Sequence, residues 1–395
     1  MEHTSHESDI LRLFRDRGPL SRTDVIAISG LSRSTVNQRL AALSDAGLIL
    51  PLEGGESTGG RPSSRFEFRA DRATILCADI GATGFTAGVC DLGGRVLASV
   101  DRRIEVWEGP EPVLGELVRA FRELEHELVA ETWSIAIGVP GPVEFAAHRV
   151  ANPPIMTGWD RFDISAWLRE HYADVPVVVE NDANARALAE ARLRRLDNVI
   201  GLKIGTGIGS GLVFNGRIIR GDKGAAGDIG HTRAVIVDPE PRQCRCGSHD
   251  CVEAYAGGWA LQRELAEIGY DVADVRGVVD LVARGDVEAT LRVRAAGRVI
   301  GDAIADLVSI LNPRAIALSG QLAACEDVLM AGILERVYQR AMPLVTRDLQ
   351  IGASPLGALA GVTGLALIAA DLLLEQESLE RILHGSEREG PGASA

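Results

Sequence analysis

The segment RQCRCGSHDCVE, Arg242 to Glu253, places Cys244, Cys246 and Cys251, half of the chain's six cysteines, within eight positions. Thiols spaced this closely can ligate a metal, exchange redox state or build a reactive centre. A carboxylate, Glu253, follows directly. The N-terminus, MEHTSHESDI, lacks the basic-then-apolar pattern of an export signal, so the cysteines are expected to be reduced thiols rather than a disulfide framework. The cytoplasm is therefore the expected location. Spacing within this segment leaves the three chemistries open.

The elements that must position such a cluster are sized by length and composition. The 395 residues suffice for two or three domains with sizeable cores, and no run of about 18 apolar residues predicts a membrane span. The net charge of −14 is unevenly distributed. Residues 1–72 carry ten arginines, no lysine and ten acidic residues, so the whole excess of negative charge lies in the remainder. A neutral, arginine-rich segment on an acidic body points to one DNA-facing module.

Local signals in that segment agree. Ile10, Leu13 and Phe14 repeat at helical spacing, and Gly18–Pro19 closes the helix. Ser21 reads as an N-cap, with Asp24 three residues on, for a helix to about Ser29. Ser32 then caps RSTVNQRLAALSDAG, which ends at Gly47. Two short helices around a tight turn have helix-turn-helix spacing, and LILPLEGGESTGGRPSSRFEF predicts strand, glycine-rich loop and strand, a wing. Val36, Leu40 and Leu43 share the inward face of the third helix. Ser34, Gln38 and Ala41, flanked by Asn37 and Thr35, form a small, uncharged outward face; Asn and Gln suit base edges, and Arg33 and Arg39 lie at its margins for phosphates. Arg61, in GGRP, could enter an A·T-rich minor groove or simply belong to a flexible linker.

From Ala73 the pattern alternates between strands and helices. TILCADIGATGFTAGVCDLGGRVLAS predicts three strands, Val113–Ala130 a helix, SIAIGVPGPV and VPVVVEND strands, ANARALAEARLRR a helix, Val287–Ile310 a long helix and AIALSG a strand. ADIGAT, GVPGPV, ENDANA, GTGIGSGLVFNGRIIRG, GAAGDIGH and CRCGSHDCVE occur in the order and spacing of the ROK family, which the chain resembles from residue 73 to about 375. That family unites sugar kinases with sugar-responsive repressors on an actin-like (ribonuclease H-like) two-lobed α/β fold. A preceding winged helix-turn-helix makes the repressor branch the better match.

The resemblance implies a set of roles. Asn181 and Asp182 match the pair that holds the distal hydroxyls of a sugar. Planar amides and carboxylates suit this because each can engage two hydroxyls. Asp182 would be the general base if the chain were a kinase, and it could also cap the helix expected to begin at Ala183. His231 and Glu253 match residues at the anomeric end, and Asp228 stands where the family usually has Glu. His231, Cys244, Cys246 and Cys251 match its zinc signature, although Asp250 replaces the usual Gly. One nitrogen and three sulfurs form a closed tetrahedral set, so structural Zn2+ is expected to order the loop rather than act as a Lewis acid.

Nucleotide elements are incomplete. The family's kinases read close to DxGGTK at the first phosphate loop. Here DIGATGF keeps Asp79, Gly81 and Thr83 but has Ala82 and Gly84 at the second Gly and Lys positions. LSGQLA has Gln321 after Gly320, whereas Gly205, Thr206, Gly207 and Gly209 of GTGIGSG are intact. ATP and Mg2+ are therefore not expected and no catalytic residue is assigned. The expected organisation is a winged helix-turn-helix over 1–72, a first lobe over 73–195 completed by a C-terminal helix at about 359–384, a second lobe over 196–358 carrying the zinc loop, and a disordered tail over 385–395. Operator DNA, a sugar or sugar-derivative effector and a second copy, in a homodimer or homotetramer, are the expected partners. The alternative is an ATP-dependent sugar kinase with an appended DNA module.

Overall fold

The computed structural model describes residues 6–52, 65–126, 130–151, 153–236 and 240–386. Its N-terminal part has three helices, Glu7–Arg17, Arg22–Ser29 and Arg33–Asp45. The Ser21 hydroxyl accepts the amide of Asp24 and the Asp24 carboxylate accepts that of Ser21, a reciprocal cap. Ser32 caps the third helix through the Thr35 amide, and Gly30 ends the second with φ of 70°. A three-stranded antiparallel sheet pairs Arg65–Phe68 with both Leu20–Ser21 and Ile49–Leu52; Ile49–Leu52 and Arg65–Phe68 fall where the two wing strands were expected. The loop between them, with Arg61, lies outside the described residues, as does most of the expected tail.

Two five-stranded mixed sheets follow. The first has the order Val177–Asn181, Thr132–Val139, Thr74–Gly81, Gly84–Asp91, Val96–Arg102. Its first three strands are parallel and the rest form an antiparallel meander. The second runs Arg217–Ile218, Ile208–Phe214, Val199–Ile204, Ala315–Ser319, Gln350–Ala353, again with parallel and antiparallel halves. The helix Pro110–Glu125, which connects Val96–Arg102 to Thr132–Val139 of the first sheet, begins three residues earlier than expected because Pro110 suits a helix's first position. It ends at Glu125 rather than Ala130.

Between the two sheets lies the helix Asp182–Arg194, in which residues 182–191 are all buried. It touches the second sheet on one side and the helix Ala360–Leu373 on the other. Close approach is possible because Gly211 and Gly364 have no side chain: a Cβ at either would overlap the backbone of this helix, at Ala183 or Ala185. The helix starts at Asp182, and Asn181 rather than Asp182 caps it, its Oδ1 accepting the amides of Ala183 at 3.0 Å and Asn184 at 3.1 Å.

The C-terminus differs from expectation more clearly. Instead of one helix over 359–384, Ala360–Leu373 and Gln376–Ser386 meet at a bend of 73°. The first packs on the first sheet, as expected. Beyond the bend, Leu374 and Leu379 enter the core of the N-terminal module among Ile10, Leu11 and Phe14. No single helix among the described residues is long and apolar enough to cross a membrane.

Candidate functional site: an interlobe cleft beside a Cys3His cluster

A cleft of about 1150 Å³ opens between the sheets. Its wall from the first sheet includes Asp79, Gly81 and Thr83, and its wall from the second includes Lys203, the Gly205–Gly209 turn and Gly320. Asn181, Asp182, Asp228, His231 and Glu253 all line it, so five residues spread over 73 positions of chain converge on one cavity. Every residue of the incomplete nucleotide elements, Asp79, Gly81, Thr83, Gly205, Thr206, Gly207 and Gly209, lines the same cavity.

The carboxylates differ in their surroundings. Asp182 is buried and forms an ion pair with Lys203, which reaches it from the second sheet. Burial pushes the Asp182 carboxyl up; Lys203 opposes that shift and Asp79 adds to it. Asp79 is paired with Arg186, one turn further along the helix that begins at Asp182, and among the described residues its buried Oδ1 has no partner. Asn181 is committed to local structure: besides capping, its Nδ2 donates to the carbonyl of Gly141 at 3.0 Å. One amide hydrogen remains for a ligand. Asp228 is exposed at the rim.

Glu253 is held from two directions. Its Oε2 accepts the amide of Ile208 at 2.9 Å and its Oε1 accepts the indole N–H of Trp259 at 3.1 Å. A Cβ at position 207 would overlap Oε2, so the glycine there is required by this carboxylate whether or not phosphate ever binds the turn. The turn is further fixed because the amides of Gly258 and Trp259 donate to the carbonyls of Gly205 and Thr206. Trp259 also has the guanidinium groups of Arg245 and Arg263 over its ring, at 4.8 and 5.1 Å. Trp259, Lys203 and Arg186 are site residues that motif reading missed. A lone lysine next to last in the otherwise apolar strand Val199–Ile204 was the only signal for Lys203.

His231, Cys244, Cys246 and Cys251 bring their ligand atoms within 4.8 Å of one another. Cys246 Sγ and Cys251 Sγ are 3.7 Å apart, and Cys244 Sγ lies 3.6 Å from His231 Nδ1. A tetrahedral ion with Zn–S bonds of about 2.3 Å needs sulfur–sulfur edges of roughly 3.8 Å, close to the Cys246–Cys251 separation. With Nδ1 turned to the thiols, the other ring nitrogen of His231 is the one available to the cleft it lines. These four residues could hold a metal ion.

On the third N-terminal helix, Arg33, Ser34, Asn37 and Gln38 are exposed and contiguous. Thr35 is half-buried, its hydroxyl 2.8 Å from that of Ser32. Arg39 departs from its expected placement at a phosphate-facing margin: its side chain is 17% exposed and its Nε lies 3.7 Å from Glu7 of the first helix.

The molecule is joined to this module by an ionic junction. Arg192, in the last turn of the helix that starts at Asp182, lies 3.1 Å from Asp371 and 3.9 Å from Asp16. Asp371 also pairs with Arg15 at 2.6 Å. Arg15 and Asp16 belong to the first N-terminal helix.

Comparison with known proteins gives two family matches, ROK over residues 75–372 and winged helix-turn-helix DNA-binding over residues 5–49. The xylose repressor of Bacillus spizizenii is 26% identical over 93% of this chain and 95% of its own length. The glucokinase of Thermotoga maritima is 28% identical over 74% of this chain and 96% of its own. Among solved structures, a ROK family transcriptional regulator described as a homolog of E. coli MLC protein superposes with a TM-score of 0.81 at 25% identity, covering 96% of this chain and 98% of that one. A ROK family glucokinase from Streptomyces griseus, in complex with glucose and AMPPNP, gives 0.66 at 27% identity over 75% of this chain and 99% of that one. The regulators match both parts of the chain, and the kinases match only the larger part.

Proposed function

The chain belongs to the ROK family, and from that premise we propose that it is a cytoplasmic, sugar-responsive transcriptional repressor. The winged helix-turn-helix binds operator DNA, and a neutral sugar or sugar derivative bound in the interlobe cleft controls that binding. Asn181, Asp182, Asp228, His231 and Glu253 hold the sugar, and a zinc ion on His231, Cys244, Cys246 and Cys251 fixes the loop that presents His231 and Glu253. The metal supplies rigidity and charge; its four protein ligands leave no open coordination position.

One observation carries this reading. The helix Asp182–Arg194 has its first residue in the cleft and Arg192 on the DNA module's ionic junction, ten residues or about 15 Å away. A ligand that closes the lobes on Asp182 displaces a rod buried over residues 182–191, whose far end pairs with Asp16 and Asp371. The two DNA modules of an oligomer then leave register with their half-sites. The second copy is expected on the face where Ile310, Tyr338, Met342 and Leu344 are exposed, an apolar set on the second lobe. Light scattering of the purified protein tests for at least a dimer.

The kinase alternative is disfavoured by the same geometry, because Asp182 and Asp79 are each already neutralised by an internal cation. A coupled assay with ATP, Mg2+ and a sugar panel separates the two readings. We expect no turnover. Turnover abolished by Asp182→Asn would overturn the repressor-only reading.

A further inference from the structure

Two carboxylates and two cations stand together at the base of the cleft: Asp182 with Lys203, and Asp79 with Arg186. Asp79 and Arg186 both act electrostatically on Asp182, so the four form one charge cluster with a net charge of zero. Their side chains are largely withdrawn from water, with Lys203, the most accessible, at 19%. Taking such groups out of water is costly unless their remaining donors and acceptors find partners. The cluster has spare capacity on both sides. Asp182 is the one acceptor found for the Lys203 ammonium among the described residues, which leaves two of its three N–H donors. Among the described residues, Oδ1 of Asp79 is an acceptor with no partner.

We propose that Lys203 is an effector-binding residue that determines specificity, acting with Asp182 as a donor–acceptor pair for the hydroxyls of a neutral pyranose. A hydroxyl between them accepts a hydrogen bond from the ammonium and donates one to a carboxylate, which an ionised carboxylate alone cannot arrange. Zero net charge at the cleft base leaves nothing to balance a phosphate or carboxylate there, so the end of the ligand that meets the cluster is uncharged. The residue type fits this role. Only two of the chain's 41 basic residues are lysines. At 203 a compact ammonium leaves room for a ligand atom where a guanidinium fork would fill the space. This inference rests on the sugar-binding reading above and adds to it a contact from the second lobe, so that ligand bridges both sides of the cleft.

The test is isothermal titration of the full chain with D-xylose, D-glucose and N-acetyl-D-glucosamine, comparing wild type with Lys203→Met and Lys203→Arg. Binding of none of these sugars by wild type would count against the sugar reading itself and remove the basis of this one. Where wild type binds, Lys203→Met is expected to weaken that sugar at least tenfold. An affinity within twofold of wild type would overturn the proposal. Should Lys203→Met fail to fold, Lys203→Arg keeps the ion pair and answers the same question. At least fivefold weaker binding supports a direct contact, and unchanged binding reduces Lys203 to an ion-pair partner of Asp182.

Discussion

Arg192 and Asp371 lie 3.1 Å apart although 179 residues separate them in sequence. The pair joins the helix that begins at Asp182 to the helix that leads into the C-terminal bend, and Arg15 of the DNA module shares the same carboxylate. The side chains are about one-third exposed, at 34% and 30%, so the pair adds only about 0.2–1 kcal/mol to stability. Its importance in this account is its position.

Arg192→Ala is therefore expected to fold normally, bind sugar normally and bind DNA normally. What it should lose is most of the sugar's effect on DNA affinity. Fluorescence anisotropy with and without sugar reads this directly. An undiminished response in the variant would show that the signal travels by another route.

Metal analysis of the purified protein should find about one zinc per chain. Cys246→Ser, or treatment with a strong chelator, should abolish sugar binding while DNA binding persists, because the cluster lies against the cleft and far along the chain from the winged helix. Metal-free protein with intact sugar response would rule out the structural role.

Trp259→Phe keeps the ring and removes the N–H that Glu253 Oε1 accepts. The loss of one hydrogen bond to a charged acceptor should cost about 1.5–3 kcal/mol of carboxylate positioning, visible as roughly tenfold or greater weakening of sugar binding. Calorimetry checks this, and an unchanged dissociation constant would show that Ile208 alone suffices to hold Glu253.

Asn37→Ala or Gln38→Ala should each cost about 1–3 kcal/mol of operator affinity and relax sequence preference, with sugar binding untouched. Arg33→Ala should weaken binding to all sequences and reduce its salt dependence. Arg39→Ala should do less than Arg33→Ala, since Arg39 is turned toward Glu7. Binding titrations at two salt concentrations distinguish these outcomes.

Where a property depends on local chemistry, it was legible in the sequence. Ser21 with Asp24 and Ser32 with Thr35 mark helix starts by short-range hydrogen bonding, and three cysteines in eight positions mark a ligand cluster. The family's motifs brought Asn181, Asp182, His231 and Glu253 to one site in advance, and they do line one cleft. Pairings over long chain separations were not legible. Lys203 meets Asp182 across 21 residues and Arg186 meets Asp79 across 107, and nothing local to either cation announces its partner. The C-terminal bend was hidden for a related reason. No Gly or Pro interrupts Leu372–Glu377, and the apolar pattern suits one long helix. The break follows from where Leu374 and Leu379 find their core, in the DNA module.

The central claim is that sugar in the cleft controls DNA binding. Its most direct test is the affinity of the full chain for the DNA upstream of its own gene, measured by anisotropy across a titration of each sugar that stabilises the protein. A repressor of this kind is expected to bind that DNA tightly alone and at least tenfold more weakly at saturating sugar. A DNA affinity that stays constant while sugar saturates the cleft would contradict the account.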